Sequence, residues 1–291
     1  MILLTGATGT VGTPLLRRLT AAGESVRCLV RDPRRLGAER VRVQIALGDL
    51  ANPASFRNAM RGVDTVVHLA AAIRDQPHGS IEELNAMATL RLVRAAERAG
   101  AKRFLFFSAI GASEHSPARF FRAKALAERA VEEADLETTV FAPSIVYAPD
   151  DQWMKLLERL SHFPVAPISG SGDALYQPIW ADDVADAVAA AVARPNGKAR
   201  YDLAGPESLT YDGIVHTALR AFGRRRRLLH VPLPVVRAGL KVAGALAGPA
   251  VFATWDEAQL MELSMTTPTG TADAEALGVR PLPMGAVLGA K

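Results

Sequence analysis

The sequence predicts an α/β protein: a doubly wound parallel sheet followed by a smaller C-terminal domain. Three observations carry that expectation. Short β-rich runs alternate with helically spaced segments through the first half of the chain. A glycine-rich turn follows the chain-initial strand and opens a helix. Near Pro143 the alternation gives way to segments punctuated by proline and glycine, such as Pro164, Pro167, Gly170 and Gly172.

The elements follow in order. Residues 2–4 read as a buried strand. Val11, Leu15, Leu16, Leu19 and Ala22 recur at helical spacing, and Gly23 stops that helix. Residues 26–30 form a second strand with Val26, Cys28 and Val30 on one face. Val41, Val43 and Ile45 alternate with Arg42 and Gln44, which predicts a third. A short helix at 55–60, a strand at 65–69, a long helix at 81–99 and a strand at 104–107 come next. A helix at 118–133 and a strand at 138–141 complete the half. Right-handed βαβ crossovers then give a parallel sheet.

Beyond it, 176–180 reads as a short strand, and Asp182 and Asp183 cap a helix over 184–193. Strands at 201–203 and 228–231 flank a helix at 211–222. The tail from 235 to 291 reads as two or three helices; the apolar stretch 235–246, with Arg237 and Lys241 four apart, reads as a lid over the substrate pocket packed on the main domain, with a helix lying on a membrane as the other reading. The expected division is residues 1–145 as a nucleotide-binding domain, with 177–193 returning to it. Residues 146–291 form a smaller substrate-binding or lid domain.

Composition sets limits. The chain has 291 residues, 49% of them hydrophobic and 22% charged, enough for a core without staples. The net charge of +4 is too small to mark a nucleic-acid binder, so no nucleic-acid partner is expected. The single Cys28 excludes an internal disulfide, and the six histidines lack metal-ligand spacing, so no metal is expected. There is no signal-peptide pattern and no uninterrupted apolar run long enough to span a bilayer. A cytoplasmic protein with no integral membrane segment is the expectation, as monomer or homodimer.

The strongest motif is Thr5-Gly6-Ala7-Thr8-Gly9-Thr10-Val11-Gly12. In a Rossmann-type fold Gly6 makes the tight turn, Gly9 lets a pyrophosphate approach the backbone, and Gly12 lets the helix pack close. Thr8, Thr10 and Val11 complete the cradle at a helix N-terminus. An acidic residue often ends the second strand and binds the ribose hydroxyls. Here Arg31 holds that place, with Arg34 and Arg35 nearby. A guanidinium suits a 2′-phosphate, so NADP(H) is favoured over NAD(H). The neighbouring Asp32 could serve NAD(H), and a solvated turn is the other reading of Arg31. Asp49 and Leu50 end the third strand beside the adenine, although Asp49 could instead cap the helix at Pro53. Ala70 and Ala71 end the fourth strand with small residues that leave room for a dinucleotide. His68 lies inside an apolar strand and reads as a packed residue.

These motifs resemble the short-chain dehydrogenase/reductase superfamily in its extended or atypical branch. The resemblance also takes in Asn85, Ser108, Lys124, Pro143-Ser144-Ile145-Val146-Tyr147 and Asp182-Asp183-Val184-Ala185. It covers most of the chain, weakly after residue 205. More narrowly the chain is similar to the nucleotide-binding accessory subunit of respiratory complex I and to isoflavone-reductase-like proteins. The resemblance implies a nicotinamide between the two domains, with Pro143 and Ile145 lining its site.

The sequence departs from that family at one place. The family's catalytic pair is Tyr-x-x-x-Lys on a helix, and here Phe120-Phe121-Arg122-Ala123-Lys124 stands there. Phenylalanine donates no proton. The resemblance gives Lys124 ribose binding and acid–base work; a solvated lysine paired with Glu128 is the other reading. Ser108 takes the place of the assisting serine. His115, in the loop before the Lys124 helix, is a substitute acid or a solvated residue, and Tyr147 and Tyr176 are further candidates.

The expected function is NADP(H)-dependent reduction of a small hydrophobic substrate: a quinone, enone, imine or carbonyl. A non-catalytic NAD(P)H-binding sensor or assembly protein is the alternative. A redox-neutral isomerase or lyase with retained cofactor is a third reading. The run Arg224-Arg225-Arg226-Arg227 reads as a solvated turn between a helix and a strand, with contact to RNA or acidic lipid as the other reading.

Overall fold

The computed structural model of the chain describes residues 1–194, 199–247 and 254–289. Six parallel strands come from the first half: β1 (Ile2–Thr5), β2 (Val26–Val30), β3 (Gln44–Leu47), β4 (Thr65–His68), β5 (Arg103–Phe107) and β6 (Glu137–Pro143). Helices α1 (Gly12–Ala21), α2 (Pro53–Phe56), α3 (Ala88–Ala99) and α4 (Arg119–Glu132) connect them. The second half adds β7 (Val146–Tyr147), α5 (Gln152–Leu160), β8 (Val165–Ser169), β9 (Leu175–Tyr176), β10 (Ile179–Trp180) and α6 (Ala181–Ala193). Next come β11 (Arg200–Leu203), β12 (Leu209–Thr210), α7 (Tyr211–Ala221), β13 (Arg227–Val231) and α8 (Leu233–Ala247). Helices α9 (Trp255–Leu260), α10 (Ala272–Ala276) and α11 (Met284–Leu288) close the chain.

The main sheet has seven strands in the order β11-β6-β5-β4-β1-β2-β3. All its pairs are parallel. The order reverses between β1 and β4, and in such sheets the crevice outside the strand ends at that point receives the ligand. Both faces are covered. On one, Leu15, Leu16 and Leu19 of α1 pack with Val184, Val188 and Ala191 of α6. On the other, Leu92 and Val93 of α3 and Ala127 and Val131 of α4 pack over Phe104 and Phe106. Burying one such leucine contributes roughly 1.5–3 kcal/mol. Arg18 fastens α1 to α6 by contacts to Asp186 (2.5 and 2.9 Å) and Asp182 (3.0 Å).

Several elements depart from the sequence expectation. The third strand starts at Gln44, three residues late, because residues 33–41 form a 3-10 turn started by the Asp32 carboxylate and kinked at Gly37. Val41 is consequently 82% exposed rather than a strand residue. The helix expected over 81–99 contains a π turn, Glu83–Met87. The strand expected over 176–180 is broken into β9 and β10 by Gln177 and Pro178. Helix α6 has no side-chain cap. Asp182 is instead engaged by Arg18, and the Asp183 carboxylate accepts from the Leu282 N–H at 3.0 Å. The strand that extends the main sheet in the second half is β11, beyond residue 193. The described tail holds α8 to α11 rather than two or three helices, while 248–253 and 290–291 lie outside the described residues. Residues 233–241 of α8 are exposed or half-buried. No helix among the described residues is long and apolar enough to cross a membrane.

A separate core forms in the second half. Tyr147, Met154, Leu157, Ile168, Tyr176, Ile214 and Leu219 bury together there.

Candidate cofactor and active site

The glycine loop joins β1 to α1 at the reversal point of the sheet. Gly6 has φ +72°, and a Cβ on it would lie 2.7 Å from the Ala70 backbone nitrogen. A Cβ on Gly12 would lie 2.0 Å from the Gly6 carbonyl oxygen. Both positions therefore exclude any side chain, for different reasons: Gly6 by conformation and contact, Gly12 by the closeness of α1 to the loop. The Gly9 N–H donates to the Gly6 oxygen at 2.9 Å, which closes the turn. No side chain caps α1, whose N-cap is Val11 in the glycine loop. Uncapped N–H groups and the helix dipole at this end suit a phosphate. Thr8 is half-buried, and Gly9 and Thr10 are exposed, so this backbone is open to a ligand.

A polar network that the sequence reading missed holds this loop to the next strand. His68 is fully buried at the end of β4. Its Nδ1 lies 2.6 Å from Thr5 Oγ1, and its Nε2 lies 3.0 Å from Thr89 Oγ1. The Thr89 hydroxyl proton goes to the Asn85 carbonyl at 2.5 Å, so Thr89 must accept from Nε2–H. Nδ1 then accepts from the Thr5 hydroxyl. Burial, with the Lys124 charge nearby, lowers the His68 pKa to about 3, so the ring is neutral. Asn85 donates to the Ala72 and Ile81 carbonyls (2.8 and 2.7 Å) and accepts from the Ala72 N–H (3.1 Å). Asn85 thereby fixes the backbone following Ala70 and Ala71. The packed reading of His68 holds, and its bonds set the position of the loop. Only the positions of Thr5, His68 and Asn85 within the motifs signalled them in sequence.

Arg31 ends β2 and is exposed; its Nη1 reaches Gln76 Oε1 at 3.4 Å. The Asp32 carboxylate is occupied by the Arg34 N–H at 2.9 Å. Asp49 ends β3 half-buried. Its carboxylate accepts from the Ala51 N–H, and its own N–H donates to Ser55 Oγ at 2.8 Å. The cap of α2 is Asn52, not Asp49. Leu50 packs on the core beneath α3 and α4, and Ala70 and Ala71 follow β4. Pro143 ends β6 and Ile145 precedes β7. Apart from Lys124 on α4, the expected cofactor residues fall at or just beyond the C-terminal ends of β1, β2, β3, β4 and β6.

Ser108 and Lys124 come together at the end of β5. Lys124 is buried on α4, and its Nζ donates to the Phe107 carbonyl at 2.5 Å. The ammonium lies 4.8 Å from the Phe106 ring centre and 5.7 Å from that of Phe120. Burial lowers its pKa to about 7, partly opposed by Glu128. The expected alternative, a solvated lysine paired with Glu128, is corrected: Glu128 pairs with Arg200 at 3.0 Å. Ser108 is also buried, and its Oγ makes no hydrogen bond within the protein. Ser108 directly follows Phe107, whose carbonyl Lys124 contacts, and a buried hydroxyl without a partner is what a substrate oxygen or nitrogen would satisfy. Phe120 packs with Phe121, Ile81, Ala109 and Leu260. His115 is exposed in the 111–117 loop, and only its backbone N–H is engaged, by Ser113 Oγ at 3.2 Å. Tyr147 and Tyr176 belong to the second core; the Tyr176 hydroxyl donates to the Leu260 carbonyl at 3.2 Å.

The residues present fit a dinucleotide: a glycine cradle under an uncapped helix, small residues beside it, and an amine and a free hydroxyl farther along the sheet edge. A family profile described as NAD(P)H-binding matches residues 6–195, more than half the chain. The chain belongs to the NAD(P)H-binding family. It is 27% identical over 277 residues to the ceramide reductase of Caulobacter vibrioides, covering 91% of this chain and 86% of the relative. It is 28% identical over 251 residues to a mitochondrial NADH dehydrogenase [ubiquinone] 1 alpha subcomplex subunit 9 of Arabidopsis thaliana. That match covers 80% of this chain but only 60% of the subunit. A solved nucleoside-diphosphate-sugar epimerase of Staphylococcus aureus superposes with a TM-score of 0.78 at 21% identity, covering 99% of each chain. The relatives and the fold agree with the short-chain dehydrogenase/reductase resemblance of the sequence. Among the described residues, no group of three or more His, Cys, Asp or Glu is placed to hold a metal.

Proposed function

We propose that this protein is an NADP(H)-dependent reductase of a hydrophobic organic substrate, working without the usual catalytic tyrosine. The observation that carries the reading is the buried pair at the end of β5: Lys124, held near neutral pKa, beside the unsatisfied Ser108 hydroxyl. The 27% identical relative named a ceramide reductase supports reductase chemistry on an apolar substrate. A redox-neutral epimerase-like role draws only on likeness of fold.

When bound, the nicotinamide supplies a hydride. Gly6 to Gly12 would hold the pyrophosphate at the N-terminus of α1, and Arg31 would favour a 2′-phosphate. Ser108 donates a hydrogen bond to the substrate atom that gains charge. Lys124 in its ammonium form would give that atom its proton. Lys124 would so supply the one proton that must accompany a two-electron reduction of a double bond, and its amine would recover that proton from water. Phe120 keeps the site dry but donates nothing, so acceptors needing little proton assistance fit best: quinones, enones, imines and activated carbonyls.

A second reading is a non-catalytic NAD(P)H-binding protein. Phe120 in the tyrosine position and the similarity to a complex I subunit favour it. Fluorescence titration of NADPH and NADH into nucleotide-free protein tests the cofactor part of the proposal. Tighter NADPH binding that Arg31→Ala weakens about tenfold is expected. Equal affinities in wild type would remove Arg31 from the account.

A further inference from the structure

The end of β2 and the loop after β4 meet across the mouth of the dinucleotide cleft. In the main sheet β1 lies between β4 and β2. Arg31 directly follows β2, and residues 73–79 belong to the loop that follows β4. An Arg31 Nη1–H donates to Gln76 Oε1 at 3.4 Å. Strands in a sheet lie about 4.8 Å apart, so this contact spans roughly 10 Å over the end of β1. The glycine loop that leaves β1 opens beneath it.

The loop is anchored at both ends. Asn85 binds both backbone groups of Ala72 on one side. On the other, the Asp75 carboxylate accepts from the Ile81 N–H at 2.8 Å and from two Arg119 N–H groups at 3.0 Å. Arg119 also binds Glu82 (2.6 and 2.8 Å) and reaches Asp256 of α9 at 3.5 Å. Arg74 pairs with Glu257, also of α9, at 3.5 Å. At the tip, Gln76 and Gly79 exchange backbone hydrogen bonds of 2.9 and 3.1 Å around Pro77 and His78. That tight turn occupies the Gln76 backbone and leaves its side chain to reach Arg31. Ile73 is 44% exposed although it follows the small residues Ala70 and Ala71 at the cleft. An apolar side chain left open there is one that a bound dinucleotide would cover.

The chemistry of the pair matters as much as its place. An amide orients a guanidinium without cancelling its charge, and the other guanidinium N–H groups stay available to an anion. A carboxylate at position 76 would neutralise Arg31 instead. We propose that Gln76 is a cofactor-specificity residue: it steadies the Arg31 guanidinium for a 2′-phosphate, with residues 73–79 as a strap over the dinucleotide cleft. The proposal rests on the NADP(H) reading of Arg31 and adds to it a residue from the opposite wall of the cleft.

The test is the affinity of NADPH and of NADH for nucleotide-free wild type, Gln76→Ala, Gln76→Glu, Arg31→Ala and the Gln76→Ala/Arg31→Ala double variant. Gln76→Ala should weaken NADPH about threefold and leave NADH within about twofold of wild type. Gln76→Glu should weaken NADPH by about tenfold or more and again spare NADH. In the Arg31→Ala background, Gln76→Ala should have no further effect, because the group it steadies is gone. Amide hydrogen exchange over 73–79 should slow when NADPH saturates the wild type. Thermal melting confirms that each variant is folded. Suppose wild type prefers NADPH. The proposal is then overturned if both Gln76 variants bind NADPH like wild type, if they weaken both nucleotides alike, or if Gln76→Ala keeps its effect without Arg31. Unchanged exchange over 73–79 overturns the strap. Equal wild-type affinities for the two nucleotides would remove Arg31 itself, and the cofactor reading would fail together with this proposal.

Discussion

The two ends of the site differ in how strictly geometry dictates their residues. At the phosphate end, Gly6 and Gly12 are required by contacts as close as 2.0 Å between a would-be Cβ and backbone atoms. His68, Thr5, Thr89 and Asn85 hold that end in one arrangement through successive buried hydrogen bonds. At the hydride end the polar groups are few and under-satisfied. Ser108 has no partner, Lys124 has one carbonyl, and Phe120 stands where the related enzymes place a phenol. The first end is built to bind one ligand class. On the proposed reading, the second lacks the phenol and relies on Lys124 as its proton donor, which would move the chemistry toward acceptors that need less acid assistance.

The largest effect expected from breaking this contrast is at the rigid end. Gly12→Ala forces α1 away from the loop and should abolish measurable nucleotide binding, with a stability loss of roughly 1–3 kcal/mol in chemical denaturation. Nucleotide affinity close to wild type would mean that the helix does not seat the phosphates.

At the other end, Lys124→Met keeps the volume and removes the proton. Turnover should fall about 100-fold with little loss of melting temperature, because a buried charge is replaced by a packed side chain. The pH dependence carries the same signature. As an acid, Lys124 works while protonated, so wild-type turnover should decline as pH rises through about 7. Stability moves the other way. The folded pKa lies below the ordinary 10.5, so between about pH 7 and 10.5 the unfolded chain binds more protons, and stability rises with pH across that window. Urea titrations of wild type and Lys124→Met at several pH values read that slope, which the variant should lack.

Phe120→Tyr sharpens the comparison from the opposite direction. Restoring a phenol one turn from Lys124 should raise turnover of unactivated ketones about tenfold and leave quinone turnover nearly unchanged. An unchanged ketone rate would show that Phe120 is not the position where acid catalysis was lost. Arg31→Ala should change NADPH affinity by no more than about tenfold, because the guanidinium is exposed and screened by water.

The parallel sheet and the glycine cradle could be read from sequence because their signals are local: apolar runs, helical spacing and three glycines at fixed offsets. The third strand was misplaced by three residues because Val41 and Val43 continue the apolar alternation, whereas the Asp32 cap and the Gly37 kink hold Val41 in a turn. Asp182 and Asp183 resembled helix caps, but their partners, Arg18 and the Leu282 N–H, are distant in sequence. The same holds for Lys124. Its place in the motif was visible, while its burial against Phe106 and Phe107 depends on β5 packing beneath α4.

NADPH oxidation against a panel of quinones, enones and imines, run with wild type and Lys124→Met in parallel, tests the central claim most directly. The account predicts turnover of at least one acceptor by wild type, declining above about pH 7, and about 100-fold slower turnover by the variant with NADPH still bound. Saturable NADPH binding with no acceptor reduced by either protein would contradict it, and would make this chain a nucleotide-binding protein without hydride chemistry.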